Sequence, residues 1–339
     1  MMTLAKRLLF FSIIFLTSCS SLTKEDNTLD IISLTGNTMG TTYSIKYSSS
    51  KKNNSEVLSN KKKIDDMLKE INIQMSTYIP ESEISQFNSS KSTNWFNISS
   101  DFNYVVLESF EYYKLSNGGY DITVQPLVNL WGFGPDKFLY PPSKTEIDSV
   151  KQFIGQNLIE VESGKIRKKD PRVQIDLSSI AKGFAVDKIF DFLKKYEDIF
   201  VEIGGEIRTK STNKSWKIGI TSPSIDNISN DIEKIITLDN MSMATSGNYR
   251  NFFIFDDNFY HHEIDTRTGS PIQSNVGSIS IISTTSCMDA DALSTMFYTM
   301  SPEEISEIVE EDDNIESFII LLNDDESYKK VLSKNFPDS

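Results

Sequence analysis

The chain has two cysteines, Cys19 and Cys287, and the position of the first decides most of what the rest can be. Lys6 and Arg7 precede an apolar run, "LLFFSIIFL" (8–16), which ends in Leu16-Thr17-Ser18-Cys19. A basic start followed by a nine-residue, largely apolar run is too short to span a bilayer and has the form of an export signal. Its junction resembles a bacterial lipobox, in which the cysteine becomes the lipidated first residue of the mature chain. With Cys19 carrying lipid, Cys287 has no disulfide partner. An exported domain of roughly 320 residues must then hold together through its core alone, and that length is sufficient. Cys287, in an apolar context, is expected to be a buried packing residue.

Residues 1–18 are therefore expected to be a signal peptide, 19–30 a polar tether and 31–335 one folded domain. Removing the signal takes away Lys6 and Arg7 and no acid, which deepens the formal charge from −14 to −16. Such a balance excludes nucleic acid as the natural partner. It also means that an anionic ligand needs a local cation, a helix N-terminus or a nest of backbone amides.

Periodicity gives a coarse fold. "IISLTGNTMGTTYSIKYS" (31–48) alternates like a strand in its second half. "KKNNSEVLSNKKKIDDMLKEINIQMS" (51–76) places Ile64, Met67, Leu68 and Ile71 at helical spacing. The stretch 101–119 reads as a helix capped by Asp101 and stopped at Gly118, and 176–196 as a strand end feeding a helix. Residues 198–210, 215–223 and 232–246 are strand-rich, and 316–333 reads as a hairpin with an acidic turn. Ser301-Pro302-Glu303-Glu304 starts another helix through a capping box with proline at the first position. Hairpins mixed with separated helices indicate an α+β fold, not a regular parallel array.

No nucleotide-binding glycine pattern occurs: "GFGPDKF" (132–138) lacks the third glycine of a dinucleotide fingerprint, and no Walker A stretch is present. The adjacent His261 and His262 do not have zinc spacing, so a metal would have to rest on oxygen ligands, as magnesium or calcium does. "SCMDADALSTM" (286–296) offers such oxygens where a strand gives way to a helix. Asp291 and Thr295 are four apart and share one helical face. The helix start there would also favour phosphate. The structural alternative is a capped helix start, with Asp289 or Asp291 as the cap.

Several other segments are unusual: "GNTMGTTYSI" (36–45), "MSTYIPESEISQFN" (75–88), "GGYDITVQPLVNLWGFGP" (118–135), "IDLSSIAKGFAVD" (175–187) and "HHEIDTRTGSPI" (261–272). Singly, each has an ordinary explanation as a turn, cap or packing segment. Their order and wording together resemble the ApbE family of FAD:protein FMN transferases. That family's segments run T-M-G-T, M-S-T-Y…S-E-[IL]-S-x-[FL]-N, D-[IV]-T-V-x-P-L-V-x-L-W-G-F-G, D-L-[SG]-x-[IV]-[AG]-[KE]-G-[YF]-A-x-D, G-G-[DE]-[IL], H-x-[IL]-D-P-x-T-G-x-P and A-D-A-[LW]-[SAD]-T. Here they are Thr38 to Thr41, Met75 to Asn88, Asp121 to Gly134, Asp176 to Asp187, Gly204 to Ile207, His262 to Pro271, and Ala290 to Thr295.

The resemblance implies one α+β catalytic unit with a T-fold-like core of mixed or antiparallel sheet and flanking helices. It implies FAD as substrate and Mg²⁺ as cofactor. Met39, Tyr78, Gly119, Tyr120 and Asp121 are then expected to line the flavin and adenosine pocket, with Asp176, Lys182 and Ile264 also touching FAD. The metal is expected on Asp291, Thr295 and the Ser179 position, with Ser294 standing where some members have a further aspartate. The implied reaction moves FMN from FAD to a Ser/Thr hydroxyl of a target protein and releases AMP. His262 is the candidate base, since a neutral imidazole can take a proton near neutral pH; the alternative is a loop residue that orders Asp265. His261 is expected at the surface. Thr266, where the family has proline, is expected to loosen the turn. Partners implied are exported flavin-accepting domains of membrane redox complexes, with the enzyme lipid-anchored at Cys19 to a bacterial membrane and facing the periplasm. Two other functions share the motifs, a magnesium-dependent FAD pyrophosphatase and an FAD-binding lipoprotein without turnover.

Overall fold

A computed structural model describes residues 29–49, 53–135, 137, 140–223, 232–323 and 327–339. The expected signal peptide, Cys19 and most of the tether lie outside the described residues. Eight strands form one sheet: β1 (Asp30–Thr38), β2 (Thr41–Ser49), β3 (Ile199–Ile203), β4 (Glu206–Lys210), β5 (Ser242–Gly247), β6 (Val276–Ser283), β7 (Ile315–Leu322) and β8 (Tyr328–Leu332). They lie side by side in chain order, and every neighbouring pair is antiparallel. The α+β class with an antiparallel core is what the sequence indicates.

Tight turns explain part of that order. Met39 and Gly40 both hold positive φ (49° and 73°) between β1 and β2, the conformation that matches strand twist in two-residue hairpins. Gly204 and Gly205 (64° and 110°) do the same between β3 and β4. The longer joins carry the helices. Between β2 and β3 come α1 (Asn54–Met75), α2 (Glu83–Ser89), α3 (Ser100–Leu115), α4 (Gln125–Leu130), α5 (Lys144–Lys151) and α6 (Ala181–Leu193). Between β6 and β7 come α7 (Cys287–Tyr298) and α8 (Pro302–Glu311). Among the described residues no helix is long and apolar enough to cross a membrane.

One face of the sheet packs against α1, α6 and α7, joining Tyr43, Ile45, Val201 and Ile279 to Ile64, Leu68, Ile189 and Phe297 in the main core. The other face is covered by a hairpin, Lys217–Thr221 with Ile232–Thr237, whose Ile218, Ile220 and Ile236 meet Met243, Phe318 and Ile320. β6 is buried at every position because both faces are covered. Each large side chain so enclosed contributes roughly 1.5–3 kcal/mol. The outer strand β8 is largely exposed and carries Lys329 and Lys330, which discourages pairing with another edge.

Two caps differ from expectation. The cap of α3 lies two residues before Asp101, with Ser99 Oγ accepting from the Phe102 N–H. α7 is capped by Ser286, whose hydroxyl accepts from the Asp289 N–H, so neither Asp289 nor Asp291 is the cap. The α8 capping box between Ser301 and Glu304 is present as read.

Candidate active site

Gly183 is what lets the site assemble. A Cβ at this position would lie 2.4 Å from the Cys287 carbonyl oxygen and 2.6 Å from Met288 Cα, so only glycine allows α6 and α7 to lie this close. At that separation Asp187 of α6 reaches the start of α7, its two carboxylate oxygens accepting from the Cys287 and Met288 N–H groups at 2.9 Å each. Arg208 pairs with Asp187 at 2.6 Å. The first amides of α7 are therefore occupied within the protein, which corrects the expectation that this helix start receives phosphate. Cys287 is fully buried, as expected, and its thiol is pushed well up by burial.

Further along α7, Asp291 and Thr295 face an open cleft of about 250 Å³. Asp291 is 3 % exposed; its Oδ2 accepts from the Gly183 N–H at 2.9 Å, and its Oδ1 lies 3.4 Å from Lys182 Nζ. Lys182 also pairs at 2.7 Å with Glu206, which begins β4 immediately after the Gly204-Gly205 turn. The cleft is also lined by Gly119, Tyr120 and Asp121, by His262, Glu263 and Ile264, and by Asp176 and Ser179. The Asp176 N–H donates to the Ile122 carbonyl at 2.7 Å, which fixes the two aspartate-bearing segments to each other. Ser179 Oγ donates to the Tyr120 hydroxyl at 2.9 Å.

Four acids of the cleft are hard to ionise. Burial pushes Asp121 up to about 6, against hydrogen bonds from Thr123, and raises Asp176 as well. Glu206 is pushed up to about 7 by burial, which outweighs the pull of Lys182. Glu263, 7 % exposed, is also raised to about 7 by burial. Lys182 goes the other way: Asp291 and Glu206 hold its ammonium on despite its enclosure.

His262 sits where the hairpin Phe252–Phe255 with Asn258–His261 returns to the cleft. Its Nδ1 lies 3.2 Å from the Asn251 carbonyl oxygen, which can only accept, so Nδ1 carries the proton and Nε2 is left with a lone pair. The enclosing walls push the ring down to about 4, although 35 % of the side chain still faces the opening. His261 is not at the surface: it is 3 % exposed and donates from Nε2 to the Ile272 carbonyl at 2.8 Å. Alternation along a short strand turns it inward. Thr266 is buried, and its hydroxyl donates to the Gly118 and Gly119 carbonyls, so it ties the turn down where loosening was expected.

The structure thus brings Gly119, Tyr120, Asp121, Asp176, Ser179, Lys182, His262, Ile264, Asp291 and Thr295 to one cleft. Three expected residues lie apart from its wall. Met39 packs at the edge of the core in its hairpin turn. Tyr78 is 63 % exposed, its hydroxyl 3.4 Å from the Phe133 carbonyl. Ser294 is fully buried behind the wall, donating to the Asp291 carbonyl and paired with Ser246. Asp289, expected as a possible cap, instead accepts from Tyr112, Ser283 and Thr285. Sequence reading missed Glu206, Arg250 and Glu263. An acid directly after two turn glycines and another beside His262 were available signals; nothing local marks Arg250.

Among the described residues no three His, Cys, Asp or Glu side chains converge as a metal cluster. The available donors are the Asp291 carboxylate and the Thr295 and Ser179 oxygens, with Glu206 Oε2 close by, buried and without a hydrogen-bond partner. These are hard oxygen donors of the number a magnesium ion takes from protein, and the set fits such an ion.

Comparison with known proteins agrees with this fold. A model of the ApbE family matches residues 39–319, and the chain belongs to that family. A Haemophilus influenzae protein named FAD:protein FMN transferase is 38 % identical over 320 residues, which cover 91 % of this chain and 90 % of that one. Two solved structures superpose on 91 % of the chain. The flavin transferase ApbE from Vibrio cholerae does so with TM-score 0.81 and 36 % identity over 99 % of its length. The apo Pseudomonas stutzeri flavinyl transferase ApbE does so with TM-score 0.80 and 30 % identity over 96 % of its length.

Proposed function

We propose that this chain transfers the FMN half of FAD to a serine or threonine hydroxyl of an exported protein, with release of AMP. The observation that carries the reading is one cleft holding Asp291, Thr295, Lys182 and His262 together, in a chain of a family whose relatives bear that name. The cleft also answers the charge problem. In a chain of net charge −14, Lys182 and Arg250 are the cations among the described residues that line it, against five acids, so a pyrophosphate would depend on these two and on a bound metal for its countercharge.

In this reading Gly119, Tyr120, Asp121, Asp176 and Ile264 hold the flavin and adenosine ends, and Lys182 faces the pyrophosphate. Met39 and Tyr78 would reach the ligand only from the rim. Asp291, Thr295 and the Ser179 backbone carbonyl would hold Mg²⁺, while Ser294, already bonded twice, keeps α7 in place. When bound, the metal supplies positive charge that neutralises the pyrophosphate and the leaving phosphate. His262 Nε2 takes the proton of the acceptor hydroxyl. The hydroxyl oxygen forms a bond to the FMN phosphorus, the bond from that phosphorus to the bridging oxygen breaks, and AMP leaves with the electron pair.

The proposal includes export and a lipid on Cys19, facing the periplasm, with flavin-accepting domains of membrane redox complexes as partners. Replacing Cys19 by serine is expected to move the protein from the membrane pellet to the soluble fraction.

Purified protein with FAD and Mg²⁺, with and without an acceptor domain, tests the reaction by chromatography of AMP and free FMN. AMP with little free FMN when acceptor is present is the expected result. AMP with an equal amount of free FMN would make the protein a pyrophosphatase, and FAD left intact would make it a binding protein.

A further inference from the structure

We infer that Glu263 and His262 act as a pair that receives the proton of the acceptor hydroxyl, so that the base of the transfer is two residues and not His262 alone. The inference rests on the transferase reading above. Residue 263 is the unassigned position of the H-x-[IL]-D segment, so the family pattern gives it no role.

The geometry is specific. His262 Nδ1–H is committed to the Asn251 carbonyl, which leaves the Nε2 lone pair, and the atom facing Nε2 at 3.5 Å is Glu263 Oε1. Two lone-pair atoms this close in a low-dielectric wall repel unless a proton lies between them. The surrounding groups do not supply one. Lys182 Nζ is committed to Glu206 and Asp291, and Arg250 donates to the Gly204 carbonyl. His261 accepts the Glu263 N–H at Nδ1 and donates its own proton to Ile272, and Tyr298 donates to the Val276 and Gly277 carbonyls. Among the described residues no side chain donates a hydrogen bond to the Glu263 carboxylate. The pair therefore holds a place for one mobile proton, on the cleft wall where an acceptor hydroxyl would enter.

Burial supports the assignment. It raises Glu263 to about 7 and lowers His262 to about 4, so near neutral pH a proton held between them is easily lost and easily regained. In the step, the acceptor O–H bond breaks and its proton passes to the pair. The oxygen bonds to the FMN phosphorus, and AMP departs with the electrons of the broken P–O bond. A carboxylate beside Nε2 makes the imidazole a stronger base than its enclosure alone would allow.

The test compares wild type, Glu263→Gln and Glu263→Asp in FMN transfer as a function of pH, with FAD affinity measured by flavin fluorescence. Wild type is expected to gain rate as pH rises through about 7. Glu263→Gln is expected to bind FAD within about twofold of wild type, to transfer about 10-fold more slowly, and to have its acid limb displaced at least about one pH unit downward. Glu263→Asp should recover part of the rate. Wild-type rate and an unmoved limb in Glu263→Gln would overturn the inference. Nitrogen NMR of the His262 ring in the wild-type protein reads the pair without catalysis. A protonated Nδ1 and a Nε2 signal that changes between about pH 6 and 8 support it, and a ring silent throughout that range contradicts it. If no acceptor is flavinylated at any pH, the transferase reading fails while the ring titration still decides whether the pair exists.

Discussion

The Gly183 N–H donates to Asp291 Oδ2 across 2.9 Å, joining the first turn of α6 to the second turn of α7. The bond exists because position 183 has no side chain to hold the helices apart. Gly183→Ala places a methyl against the Cys287 carbonyl and Met288 Cα, backbone that cannot swing aside. It is expected to cost about 1–3 kcal/mol in urea unfolding and to lower turnover by displacing Asp291.

Asp291→Asn keeps the shape and can still accept from Gly183, while removing the charge that faces the cleft. Lys182 retains Glu206 as its partner, so the fold should survive. Magnesium-dependent AMP release should fall by about 100-fold with an unchanged circular dichroism spectrum. Activity equal to wild type would remove Asp291 from the metal site.

Lys168 provides a test far from the chemistry. Its side chain is 1 % exposed, and Nζ donates to the carbonyls of Phe87, Asn88 and Val173 at 3.0, 3.2 and 3.1 Å, with no carboxylate paired to it among the described residues. Burial holds it down to about 8 in the folded protein, against an ordinary 10.5 when unfolded. Between those values the unfolded chain binds the extra proton, so stability contributed by this group rises with pH. Urea unfolding across about pH 7.5 to 10 should show wild type gaining stability relative to Lys168→Met, and parallel curves would refute the assignment.

Thr266→Val retains the shape of the side chain and deletes its hydroxyl. Two carbonyls, of Gly118 and Gly119, then lose their donor at the base of the cleft wall. A loss of about 1–1.5 kcal/mol in unfolding free energy is expected, with weaker FAD binding by fluorescence titration. Unchanged FAD affinity would show that the wall does not depend on this tie.

Much of this site was legible because its residues lie on regular elements. The four-residue spacing of Asp291 and Thr295 becomes one helical face, and Asp176, Ser179 and Lys182 fall at the entry to α6 as the segment reads. What could not be read depends on contacts between distant segments. Asp187 takes the amides of α7 from another helix, so a helix start that looks open in sequence is closed in the fold. His261 and His262 are neighbours with opposite fates because a short strand alternates, and only its pairing with Phe252 fixes which one turns in. α5 was missed although Ser143 and Glu146 form a capping box, a signal the sequence does carry. Tyr78 was placed in the pocket by resemblance alone, and its exposure follows from where the turn after α1 lies.

The central claim is that FMN becomes covalently attached to another protein. Intact mass spectrometry of an acceptor domain, after incubation with FAD, Mg²⁺ and this protein, addresses it directly. The expected result is an FMN-sized gain on one serine or threonine, absent when that residue is alanine. An acceptor of unchanged mass, in a reaction that has consumed FAD, would contradict it.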